Sequence, residues 1–402
     1  MRRVTPLVLA VLAVPACRGE PPRSEAGGLA GLVDSLRPAV ERAAGLTFRE
    51  PVKAAMRTRT QVRDYLLQQV EENLPPSKLG GIEDTYRLLG LLPDSLRLQD
   101  YLVDLLTEQV AGFYDYQTST LYGVEGYDRT KLTLIVAHEL VHALQHQYLP
   151  LDSIMRATGD DDRQLAAQAI LEGQATLASA RVFLPDQQEI PPGAWEQARD
   201  AIAETQSAMP RFAEAPLVLR EQLLFPYLSG ADFMVWWGAS RFADTVPYGP
   251  RMPASTEQIL QPEHYVDRDQ PVTVRFVEPD SARYENTLGD LDLRIFAAHL
   301  AGGDRIATRL AQGWGGDRFR LYETPGGPAL VVIIVWDRGA PFRQRFRARV
   351  DRALTRLSRP GYRVALTDLQ LDGRDASRLV IAPAGWVRWE RLPEARIEGL
   401  KD

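Results

Sequence analysis

The chain has 402 residues, 45% of them apolar and 25% charged, an ordinary globular composition with length enough for more than one core. Its 53 acidic against 47 basic residues leave a net charge of −6, so a nucleic-acid partner is not expected. A single cysteine excludes an internal disulfide.

The first seventeen residues read as an export signal. Arg2-Arg3 is the basic end, Leu7 to Val14 the apolar core, and Val14-Pro15-Ala16-Cys17 the cleavage region. A small residue before a lone cysteine resembles the lipobox of bacterial lipoproteins, although Pro15 is unusual there. The resemblance implies that Cys17 is lipidated. The chain would then be exported and anchored by lipid in the bacterial cell envelope, on the periplasmic face. Arg18 is not the Asp that retains some lipoproteins at the inner membrane, which favours the outer one. Plain secretion, with Cys17 incidental, is the alternative. Residues 18–28 form a polar, Pro/Gly-rich tether. No later segment approaches the ~20 apolar residues of a spanning helix.

Two domains are expected beyond the tether, a helical one over 29–267 and a smaller α+β one over 268–402. From Leu29 to about Ala111 the pattern is helical, with Leu98, Leu102, Leu105, Leu106 and Val110 on one face. Phe113 to Val124 reads as a hairpin turning at Gln117-Thr118-Ser119. A long apolar helix follows, capped by Asp128 or Thr130.

That helix carries His138-Glu139-Leu140-Val141-His142. Helix positions i and i+4 share a face, so both imidazoles can reach one metal ion. Glu139 stands beside the open coordination position, where the water-activating base of a zinc hydrolase belongs. His146, four residues further, drifts off that face. A catalytic zinc usually takes a third protein ligand. The pattern H-E-x-x-H-x-x-G-x-x-H fails, because Gln145 and Tyr148 stand where its Gly and last His would be. The remaining common choice is a Glu on a following helix. Residues 165–180 are apolar and helix-forming with one acid, Glu172, which is costly there unless paired or metal-bound. Asp160-Asp161-Asp162 can cap that helix.

Residues 181–250 read as further helices with aromatic clusters at 225–227 and 233–237. A zinc peptidase also needs a donor for the developing oxyanion, and Tyr227, His264 and Tyr265 are unranked candidates by type. From about residue 268 the texture changes. Residues 271–277 are strand-like and Leu291 to Leu310 helical. Strands at 318–322 and 329–336, an Arg-rich helix at 342–357, and strands near 362–371 and 378–382 complete a β-β-α-β-β order.

The motif with a downstream Glu resembles the gluzincins, the thermolysin-like zinc metallopeptidases. The closer likeness is to mostly uncharacterised bacterial proteins of that clan with an E-G-x-A-T motif, here Glu172-Gly173-Gln174-Ala175-Thr176. Their stretches also resemble Ala111 to Asp115, Pro253 to Leu260 and Gly313 to Arg318. The resemblance implies a mainly helical zincin-like catalytic domain in an α+β chain and one zinc ion on His138, His142 and Glu172. It makes Glu139 the general base. It implies an edge strand, Thr120, Leu121, Tyr122, Gly123 and Val124, that pairs with an extended peptide or protein substrate. The span from His142 to Glu172 is longer than in thermolysin. Thr176 stands where thermolysin has an acid that orients a zinc histidine, and a hydroxyl would accept more weakly. The activity implied is that of a membrane-tethered zinc metallopeptidase. A cell-envelope lipoprotein with a structural zinc, or a zinc hydrolase of non-peptide amides or esters, stays open. Oligomeric state is not legible.

Overall fold

A computed structural model describes residues 28–151, 154, 159–183, 194–278, 282–303, 313–337 and 342–398. The export signal with Cys17, and the tether up to residue 27, lie outside the described residues, as does the end of the helix expected to reach Leu310.

The fold is mixed α+β. Helix α1 (Gly28–Ala44) is followed by strand β1 (Lys53–Arg57), helices α2 (Arg59–Asn73), α3 (Pro76–Leu88) and α4 (Leu98–Gln109), and strands β2 (Gly112–Asp115) and β3 (Thr120–Val124). Next come α5 (Arg129–Tyr148), α6 (Asp161–Val182), α7 (Ala194–Ser207), α8 (Pro210–Ala213), α9 (Leu217–Ala239), α10 (Thr256–Leu260) and α11 (Pro262–Val266). Strands dominate thereafter: β4 (Val274–Phe276), β5 (Tyr284–Asn286), α12 (Gly289–Leu300), β6 (Trp314–Tyr322), β7 (Ala329–Trp336), α13 (Phe342–Ala353), β8 (Tyr362–Leu371), β9 (Arg374–Pro383) and β10 (Ala395–Ile397). Among the described residues no helix is long and apolar enough to cross a membrane.

The expected hairpin forms because Asp115 holds its turn. One carboxylate oxygen accepts from the Gln117 amide (3.0 Å) and the other from the Thr118 hydroxyl (2.7 Å). Its second strand, however, is not at an edge. β3 pairs with β2 antiparallel and with β1 parallel, so the sheet order is β1-β3-β2.

The other large sheet is antiparallel, in the order β5-β6-β7-β9-β8. Its middle strand β7 is buried throughout, as an unbroken apolar run requires. Side chains alternate across a strand. Leu330, Val332, Ile334 and Trp336 accordingly face one cluster, and Ala329, Val331, Ile333 and Val335 another. The first cluster also takes in Leu105, Ile170, Phe233 and Phe296, so one core runs from the helices into the sheet.

Two acceptors inside this core make stability pH-dependent. Asp317 accepts from the Leu288 and Gly289 amides (both 2.8 Å) and from the Trp314 indole (3.0 Å). Asp292 accepts from the Tyr86 hydroxyl (2.6 Å) and Gln222 (2.8 Å). Burial outweighs these bonds and lifts each carboxyl to about 6. The folded chain then binds more protons than the unfolded one between about pH 4 and 6. Stability falls as pH rises through that window. Metal-free protein should unfold at a higher temperature at pH 5 than at pH 7. An equal or lower midpoint at pH 5 would show these groups to be outweighed.

Candidate metal centre

Helices α5 and α6 are buried on every side over a long stretch, residues 135–145 in one and 169–179 in the other. A helix apolar all round belongs inside a core. Asp128 starts the first by accepting the Lys131 amide (2.9 Å), and Asp160 starts the second by accepting that of Arg163 (3.0 Å). His138, Glu139, His142 and Glu172 are all 0% exposed.

The helical spacing brings the two imidazoles together, and α6 delivers Glu172 to them. His138 Nε2 and His142 Nε2 are 3.0 Å apart, and Glu172 Oε2 lies 3.2 Å from the first and 3.3 Å from the second. Donors about 2.0–2.1 Å from a tetrahedral zinc stand about 3.3 Å from one another. The triangle therefore has the size that zinc requires. The other Glu172 oxygen is buried without a hydrogen-bond partner.

The hydrogen bonds around His142 fix its tautomer. Gln145 commits its amide nitrogen to the Leu171 carbonyl (3.0 Å) and to Gln174 Oε1 (2.8 Å). Its oxygen is then left to accept from His142 Nδ1 (2.9 Å). Nε2 consequently faces Glu172 and His138 as a ligand nitrogen. The Tyr248 hydroxyl donates to Gln174 and extends the chain of bonds. Such partners fix ring orientation and typically matter ~10–100-fold for metal affinity. Gln145→Leu should weaken zinc binding by about that factor in competition with a chromophoric chelator. Unchanged affinity would mean that packing alone holds the ring.

Electrostatics agree with a ligand set. Burial works against the charged His142 ring, but Glu172 beside it keeps its proton on. Burial likewise works against the Glu172 carboxylate, and the two imidazoles overcome it and hold the group low. In the metal-free chain a proton thus sits among the three donors. Burial lowers His138, so that ring is neutral. Glu139 is lifted to about 8 by burial, which Glu172 reinforces and His142 opposes. Neither Glu139 oxygen forms a side-chain hydrogen bond, and the Tyr114 backbone beside it opposes the rise.

The structure corrects three assignments. Thr176 is buried with its hydroxyl unpartnered, and Gln145, not Thr176, orients His142. Thr120, Leu121, Tyr122, Gly123 and Val124 form a central strand with both edges paired, leaving no row of backbone groups for a substrate. The strand against the motif is the outer one, β2. A Cβ on Gly112 would lie 2.4 Å from Ile135 Cγ2 and 3.9 Å from Glu139 Cγ, so only glycine lets β2 run this close to α5. His264 stands in a different cluster, with Glu257 and Asp337.

Of the other candidates, Tyr227 does adjoin the site, its ring 6.2 Å from that of His138. Tyr227 also lines a cavity of about 710 Å³, with Leu102, Leu106, Leu165, Gln168 and Leu223. Tyr265 lies among Phe233, Trp236, Trp237 and Phe242 and donates to the Arg251 carbonyl (3.0 Å). His146 meets the Tyr114 hydroxyl (3.2 Å), off the ligand face as expected.

Sequence reasoning missed Tyr116. Its ring stands edge-on to those of Tyr114 and His146, and its hydroxyl is buried with no hydrogen-bond partner. Burial, then Glu172 and Glu139, raise that hydroxyl well above the usual tyrosine range. A turn residue carries no sequence signal for this. Gln145 did carry one, since three residues after His142 it shares the ligand face.

Comparison with protein-family models, with curated proteins and with solved structures finds no match.

Proposed function

We propose that the chain is a zinc-dependent, gluzincin-like peptidase, exported and tethered to the cell envelope through Cys17. The observation that carries the chemistry is the buried His138–His142–Glu172 triangle with an unpaired carboxylate, Glu139, one residue from its first member. When bound, zinc supplies the Lewis acidity that polarises a scissile carbonyl and lets a water ionise near neutral pH. With a bound cation's charge beside it Glu139 would be ionised, and would take the proton of the attacking water on a carboxylate oxygen and return it to the departing amine. The Tyr116 hydroxyl, without another acceptor, is the donor at hand for negative charge on the carbonyl oxygen. The outer strand β2 takes over from β3 the pairing with an extended peptide.

One observation favours a structural zinc instead: none of the four residues has exposed surface. A structural zinc is closed by a fourth protein ligand, however, and only three donors gather here among the described residues. The test is metal content by mass spectrometry together with cleavage of casein. We expect one zinc ion fewer in His142→Ala than in wild type, and cleavage that a chelator stops and zinc restores. A chain whose zinc content is the same in His142→Ala would sink the reading. Cleavage of small amides or esters but of no peptide would move it to the non-peptide hydrolases.

A further inference from the structure

Two segments singled out in the sequence, Pro253 to Leu260 and Gly313 to Arg318, have no part in the chemistry above. The fold brings them to one place. Ser255 caps α10, and Thr256 is committed to Asp162, to which its hydroxyl donates. The next residue, Glu257, is 3% exposed, and its Oε1 has no hydrogen-bond partner. His264 on α11 and Asp337 after β7 offer ligand atoms that lie, with one from Glu257, within 4.8 Å of one another. The second segment seats Asp337. Its amide donates to the Gly313 carbonyl (2.9 Å), and a Cβ on Gly315 would come 2.7 Å from Asp337 Oδ1, which glycine avoids.

The surroundings are short of positive charge. Asp269 lies 2.9 Å from His264 Nδ1, and Glu257 Oε2 lies 3.8 Å from the same nitrogen. Asp290, wholly buried, uses one oxygen on Arg294 (2.7 Å) and leaves the other unpartnered. Four carboxylates thus gather round one imidazole, with two guanidiniums, Arg294 on Asp290 and Arg374 near Asp337. A buried carboxylate in such company is costly unless a cation joins it.

We propose that Glu257, His264 and Asp337 form a second metal site, separate from the peptidase centre, that takes a divalent first-row cation of the manganese-to-zinc kind. Carboxylates alone would suit calcium or magnesium, and the imidazole shifts the set toward these softer ions. Asp269 supplies a further oxygen beside them. His264 and Asp337 are only half-buried, so an ion has a way in. Such an ion would pin α10 and α11 to the end of β7, holding the helical part to the sheet across residue 268.

The test counts metal in four full-length proteins: wild type, His142→Ala, Glu257→Gln and the double variant. Each is stripped, loaded with Zn²⁺, and in parallel with Mn²⁺ as a paramagnetic probe. Circular dichroism confirms folding, and Asp337→Asn replaces Glu257→Gln should the latter not fold. We expect two zinc ions in wild type, one in each single variant and none in the double. The Mn²⁺ affinity of the His142→Ala chain should fall at least 100-fold when Glu257→Gln is added. A His142→Ala chain that holds no metal overturns the second site and leaves the first standing. Metal lost with Glu257→Gln but not with His142→Ala supports the second site and overturns the first. Equal binding with and without Glu257→Gln overturns the proposal.

Discussion

Glu139→Gln should leave the metal in place and lower peptide cleavage by ~10²–10⁴-fold, the span that a positioned general base contributes. The substitution is near isosteric and touches none of the three ligand groups. It also breaks no side-chain hydrogen bond, because neither Glu139 oxygen makes one. Stability should therefore change little, and unfolding and metal content measured on the same samples separate it from activity. The new amide cannot accept the proton of an attacking water, so the loss should fall on kcat more than on KM. Retained cleavage within tenfold of wild type would remove Glu139 from the chemistry. Loss of zinc with loss of cleavage would instead make Glu139 part of the metal's support, and the base would have to be sought elsewhere.

The parts of this site that the sequence exposes are those set by local geometry. His138 and His142 are one helical turn apart, and no tertiary fact is needed to put them on one face. Glu172 stood out because an acid amid Ala, Ile and Leu demands a partner, and the triangle with the two imidazoles provides it. The strand at 329–336 was equally plain, since eight apolar residues between Pro328 and Asp337 have few other fates.

What stayed hidden depends on how distant elements meet. β3 reads as an edge because the hairpin alone has two free sides. Its second neighbour, Lys53–Arg57, arrives from nearly seventy positions upstream, and no local pattern announces that pairing. Thr176 and Gln145 competed for one role, and the crossing of α5 and α6 decided it by placing the Leu171 carbonyl and Gln174 where they fix the Gln145 amide. His264 is a histidine of the right type in the wrong cluster, and only the fold says which acids surround it.

Gly173→Ala should destabilise the chain by about 3 kcal/mol, at the upper end of overpacking, and weaken zinc binding more than tenfold. A Cβ on Gly173 would stand 2.2 Å from Gly230 C, 2.3 Å from Gly230 O and 2.7 Å from Ala231 N. All three atoms are backbone of α9, so no side chain can turn away to make room. A Cβ on Gly230 would in turn stand 2.0 Å from the Ala169 carbonyl oxygen. Helices α6 and α9 thus cross with their backbones in contact, and one added methyl must drive them apart. Alanine gains about 1 kcal/mol over glycine in helix propensity, which offsets only part of that strain. The adjoining residue is Glu172, so separation of the helices moves a ligand whose neighbours stand 3.2 and 3.3 Å away. Gly80→Ala is the control: it also lies within a helix, α3, but its Cβ would meet nothing within 4 Å. That variant should be as stable as wild type or more so, with zinc affinity unchanged. If the two alanine variants unfold alike, the close crossing of α6 and α9 does not set the position of Glu172.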